Sequence, residues 1–182
     1  TRKQRAELRR LDSLAFKIGT TPTMDCLPVF IANEKGFFEK EGVDVRLRLR
    51  NSHLDLDTLL RGGWIEGAFT ELVRAERIVD NGVKLRYVAA TNSYWQLVSN
   101  RNMRIRKLDQ LSDKMVAMTR YSATDYPTDV ALKGVKTQGM VFSVQFNDVK
   151  LRLKMLLNNE MDALWLTEPQ ATQARLFGAN ML

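Results

Sequence analysis

Glu71 and Glu168 stand at the same kind of corner, each following a threonine that ends a short apolar run, residues 64–69 and 161–166. A carboxylate at such a corner can do acid/base work, accept a ligand's donor groups, or cap the helix that follows. Three other corners, residues 20–25, 91–95 and 121–125, gather hydroxyls, aromatic rings and a few carboxylates. That mixture suits a small polar or aromatic ligand held by hydrogen bonds and stacking. The candidate binding residues are therefore Thr21, Asp25, Glu71, Tyr94 and Trp95 in the first half of the chain, and Tyr121, Ser122, Thr124 and Glu168 in the second. Backbone N–H groups at a helix start near residues 122–125 could take an anionic group, although Asp125 would oppose one.

Other chemistry finds little support. His53 is the only histidine, and it precedes a predicted helix, where a surface capping role fits better than a serine triad. No HExxH, GxGxxG or GxxxxGK[ST] pattern occurs. Cys26 is the only cysteine, so this chain alone builds neither a disulfide nor a thiolate metal cluster, and its compartment is not revealed by redox chemistry. No catalytic residue, metal or cofactor is assigned. Trp64 and Trp165 read as core, and Trp95 as the best stacking platform because polar residues precede it.

The elements that must position these corners alternate. Strands are predicted over residues 15–19, 43–50, 65–69, 85–90, 115–118, 141–146 and 161–166, with helices between them, which is the pattern of an α/β protein with mainly parallel sheets. Residues 43–50 alternate strictly between apolar and charged, as a half-exposed edge strand does. The arginines Arg46, Arg48 and Arg50 on it read as a solvated face that discourages edge pairing. Gly42, Gly82 and Gly178 close helical stretches, and Gly134 and Gly139 bracket the linker into the strand at 141–146.

The chain repeats itself. Leu156 stands 97 positions after Leu59, Glu168 stands 97 after Glu71, and residues 45–50 fall on 142–147 at the same offset. Two similar lobes follow: a basic tether at 1–12, a first lobe at 13–100 and a second, incomplete lobe at 101–182. Leu182 corresponds to Leu85, so the second half stops where its next strand is expected. A fragment or short form would leave sheet edges open to self-association.

Composition bounds the partners. The 182 residues carry a net charge of +7, with hydrophobic residues at 45% and charged residues at 27%, as in ordinary globular chains. No apolar run approaches a membrane span of about 20 residues. Arg2, Lys3, Arg5, Arg9 and Arg10 hold much of the excess charge. Such a run can serve nucleic-acid or anionic-membrane contact. No aromatic residue interleaves with it, however, and no recognition-helix pattern follows. It therefore reads as a solvated tether, with Leu8, Leu11 and Leu14 at the spacing of a short frayed helix, and no nucleic-acid partner is expected.

Residues 32–45, reading ANEKGFFEKEGVDV, resemble the "A..KGFF...GLDV" segment of periplasmic substrate-binding proteins of the nitrate, sulfonate and thiamin-pyrimidine-precursor group. Residues 108–117 are similar to that family's entry to its second lobe. Leu156, Leu157, Met161, Asp162, Ala163, Glu168 and Pro169 resemble a further signature. The cysteine-rich motif of the family's enzymatic branch is not present. The resemblance implies two α/β lobes of the type II binding-protein fold, continuing for roughly another hundred residues. It implies a periplasmic or membrane-tethered receptor that closes on a small organic molecule and hands it to an ABC permease, and it makes the basic N-terminus a tether from a lipidated start. Two rivals share the architecture: an enzyme using Glu71 or Glu168 as acid or base, and the effector lobe of a transcription regulator.

Overall fold

The computed structural model describes residues 1–133 and 139–182. Its contacts divide the chain into two compact units, Thr1–Thr70 and Glu71–Leu182. Gly134 of the predicted linker lies outside the described residues.

In the first unit, helix α1 (Arg2–Leu14) leads into strand β1 (Phe16–Thr20), then α2 (Leu27–Glu34), α3 (Phe37–Lys40), β2 (Val45–Leu49), α4 (His53–Arg61) and β3 (Gly67–Ala68). The three strands are parallel in the order β2-β1-β3, so the alternating strand is at an edge, as its charges predict. Gly36 starts α3 and Gly42 follows it, both at positive φ, where a side chain would be strained. Leu56 of α4 and Ile65 pack over Gly19 so closely that a Cβ there would meet both at 2.8 Å. Ser52, not His53, caps α4, its hydroxyl accepting Leu54 N–H at 3.1 Å. The reason is position: only the residue before the first helical one can accept that N–H.

The second unit holds α5 (Leu72–Asp80), β4 (Gln96–Ser99), β5 (Met115–Met118), α6 (Asp125–Lys133), β6 (Phe142–Gln145), α7 (Val149–Leu157), β7 (Ala163–Leu166), α8 (Gln170–Leu176) and β8 (Asn180–Met181). Its sheet runs β6-β5-β7-β4-β8; β5 is parallel to β6 and β7, whereas β4 is antiparallel to β7 and β8. The arrangement β6-β5-β7 repeats β2-β1-β3, which is the structural form of the 97-residue offset. The apolar runs of β4, β5 and β7 feed two clusters by alternate residues. Val98, Ala117, Leu164 and Leu166 pack with Leu156, Ala171 and Ala174. Leu97, Val116, Met118, Ala163 and Trp165 pack with Ile105 and Leu111. Such double burial explains why these strands read as continuous apolar segments.

Two readings change. Residues 85–90 form no strand, because β propensity alone does not make one where no neighbouring strand supplies hydrogen bonds. The strand in this region is instead β4, where Leu97 and Val98 are buried in the middle of the second sheet. Its pairing places residues 71–100 in the second unit, whereas the repeat grouped them with the first lobe. Residues 1–12, where leucines at helical spacing predict a short helix, form most of α1, opened by a capping box between Thr1 and Gln4.

Candidate functional site

The polar corner of the second unit is built on Thr119, which follows β5. Its N–H donates to Thr124 Oγ1 at 3.0 Å, and its carbonyl accepts Ser122 Oγ–H at 2.7 Å. The two hydroxyls lie 2.8 Å apart. Tyr121 N–H donates to Asp125 Oδ2 at 2.8 Å, so Asp125 binds its own loop from the first turn of α6. Tyr121 takes a positive φ of 58° and projects an exposed ring, over which the Arg77 guanidinium sits at 3.8 Å. Ala123 N–H donates to Glu71 Oε2 at 2.6 Å. Glu71, Tyr121, Ser122 and Thr124, predicted from separate corners, are thus joined in one assembly. The backbone donors predicted to suit an anion are already taken: Tyr121 and Ala123 N–H by the carboxylates of Asp125 and Glu71, and Thr124 and Asp125 N–H by the hydroxyl and carbonyl of Ser122.

A residue that sequence reasoning overlooked ties this assembly to the sheet. Arg152 of α7 is 2% exposed. Its Nε donates to the Phe146 carbonyl at 2.7 Å and its Nη1 to the Trp165 carbonyl at 3.2 Å. Nη2 donates to Thr119 Oγ1 and to the Phe146 carbonyl. One guanidinium therefore links the ends of β5 and β6 with β7. The Trp95 ring lies 5.7 Å from it. Burial, opposed by Glu71 and reinforced by Arg74, pushes Arg152 down to about 10, which leaves it charged at neutral pH. The signal was available: Val149, Arg152 and Leu156 share the buried stripe of α7, and an arginine on such a stripe needs partners.

Glu168 stands at the start of α8. Its Oε2 accepts Thr172 N–H at 3.0 Å, and its Oε1 accepts Gln96 Nε2–H at 3.0 Å. Burial raises its carboxyl, but these hydrogen bonds and Arg175 outweigh that and hold it below the usual range. Trp95 is half-buried beside the second core cluster, whereas Tyr94 is exposed. Trp165 is core, its Nε1 donating to Thr128 Oγ1 at 2.7 Å, while Trp64 is exposed.

In the first unit, Thr21 is fully buried, its hydroxyl 2.7 Å from that of Thr23 and its N–H on Cys26 Sγ at 3.4 Å. Burial pushes the Cys26 thiol up. Asp25 is half-buried inside a short 3-10 turn (Met24–Cys26) that Thr23 precedes. Among the described residues, no three His, Cys, Asp or Glu side chains could hold a metal ion. A cavity of about 250 Å³ where α7 and α8 end is lined by Arg101, Leu156, Leu157, Asn159, Phe177 and Ala179, and holds none of the predicted site residues.

The fold, with its polar strand ends, is that of ABC-type binding proteins. A ligand-binding component of an ABC-type import system from Staphylococcus aureus superimposes with a TM-score of 0.76 at 17% identity, over 92% of this chain and 60% of that one. The alkanesulfonate-binding protein SsuA of Xanthomonas axonopodis pv. citri gives 0.74 at 16% identity, over 92% and 60%. The periplasmic nitrate-binding protein NrtA of Synechocystis gives 0.68 at 19% identity, over 92% and 50%. The chain belongs to the NMT1-like family, which matches residues 10–176. It spans about 60% of the length of the first two of these structures. A search of curated proteins gave no match.

Proposed function

We propose that the chain captures a small organic solute for an ABC-type importer and performs no chemistry on it. Family membership over residues 10–176 carries this reading. The polar strand ends support it, because they offer rings and hydrogen-bonding groups without a nucleophile–base pair. In this reading the contacts come from groups left reachable at the corners of the second unit: the half-buried Trp95 and Glu168 and the exposed rings of Tyr94 and Tyr121. The buried hydroxyls of Thr21, Ser122 and Thr124 hold the corners in shape. Delivery to a permease and an extracytoplasmic location belong to the same proposal.

The enzyme reading draws no support from its two carboxylates. Glu168 is held below its usual range, the wrong direction for a general acid at neutral pH, and Glu71 accepts a backbone N–H. A thermal-shift screen of small organic solutes tests the proposal. A binder should raise the unfolding midpoint of the parent and do so far less for Trp95→Ala, since removing a stacking ring costs about 1 to 3 kcal/mol. A stabilising solute that acts equally on both would place the site elsewhere.

A further inference from the structure

Helix α1 buries none of its 13 residues. Leu8, Leu11 and Leu14 are 63%, 39% and 72% exposed and recur at helical spacing, so they form one unpartnered apolar stripe. The same helix carries five basic residues against two acidic ones, Glu7 and Asp12. Residues 15–70 of its unit carry seven basic and eight acidic side chains, so the unit's positive charge resides in the helix. By helical geometry, Lys3 and Arg10 flank the leucine stripe on one side and Arg5 on the other, with Arg2 and Arg9 behind.

Apart from Arg10, these charges do not serve the helix itself. Arg2, Lys3 and Arg5 crowd the N-terminal turn, where the helix dipole is already positive and no acidic residue is present. Arg5 and Arg9 are like charges four residues apart, which also opposes helix formation. Arg10 pairs with Glu7 at 2.9 Å. Asp12 takes Arg46 at 2.9 Å and also Arg48, which ties the C-terminal turn of α1 to β2 and leaves the leucines free. A helix of this length with no buried face is marginal in water. A surface that accepts leucines and neutralises arginines would stabilise it.

We propose that α1 docks on an anionic lipid surface, lying in the interface plane with its leucines inserted and the flanking cations at the headgroups. Nucleic acid would neutralise the same charge, but the helix offers no aromatic ring for stacking, and a leucine stripe adds nothing to phosphate contacts. The proposal does not depend on which solute the chain binds.

Co-sedimentation of the full chain with vesicles decides it. Phosphatidylcholine vesicles containing phosphatidylglycerol should bind it and phosphatidylcholine alone should not, with binding weakening as salt shortens the screening length. Lys3→Gln with Arg5→Gln should weaken binding by about 25-fold, at about fivefold per basic residue. Leu8→Gln with Leu14→Gln should also weaken it at unchanged charge, with helicity and thermal midpoint as folding controls. The proposal is overturned if anionic vesicles do not bind, if the leucine changes have no effect, or if duplex DNA binds as tightly as the vesicles.

Discussion

The Arg152 guanidinium donates through Nε to the carbonyl of Phe146 at 2.7 Å, and through its other nitrogens reaches Thr119 and Trp165. Ser122 and Thr124 hang on the backbone of Thr119, and the same loop gives Ala123 N–H to Glu71. Replacing Arg152 with Met should leave two carbonyls and a hydroxyl buried without this donor, costing about 3 kcal/mol or more. Arg152→Lys keeps the charge but loses the planar fork, and should cost less. Chemical denaturation midpoints of the two variants check both the size and the order.

Thr128 serves two partners: its hydroxyl donates to the Thr124 carbonyl at 2.5 Å and accepts Trp165 Nε1–H at 2.7 Å. Thr128→Val keeps the shape and removes both bonds. The expected loss is about 1 to 3 kcal/mol, with the Trp165 indole N–H resonance displaced. An unmoved resonance would mean that this bond is not made.

Much of this was legible in the sequence, and the failures have physical causes. The offset that places Glu168 after Glu71 marks a real repeat, because β2-β1-β3 and β6-β5-β7 share one order. Strict alternation marked β2 as an edge strand, since a strand with one wet face must alternate. Residues 85–90 misled because a strand is defined by its neighbour, and composition does not show whether one is there. Arg152 was hidden by its type, since an arginine on a helix is ordinarily solvated; only its place on the Val149–Leu156 stripe gave it away.

Glu168 should contribute to the acid end of the stability profile. Its folded carboxyl lies below its ordinary value, so the contribution is full above the unfolded value and fades as pH falls through the folded one. Thermal midpoints followed from neutral to acidic pH should therefore fall more gently for Glu168→Gln than for the parent. Parallel curves would show that its bonds to Gln96 and Thr172 do not favour the charged form.

Gly19 is set by contact, not by backbone angle. A methyl group there would press on Leu56 and Ile65, both buried in the small core of the first unit. Gly19→Ala should destabilise by about 1 to 3 kcal/mol, read by denaturation. A neutral outcome would mean that α4 can move off β1 at little cost.

The central claim is that this chain holds a small organic solute without transforming it. Native mass spectrometry of the purified chain, repeated after denaturation, addresses that claim most directly. The account predicts an adduct of small-molecule mass that is released on denaturation, identified by its accurate mass, and returned unchanged after long incubation with fresh protein. A solute recovered as a different compound after that incubation would contradict it.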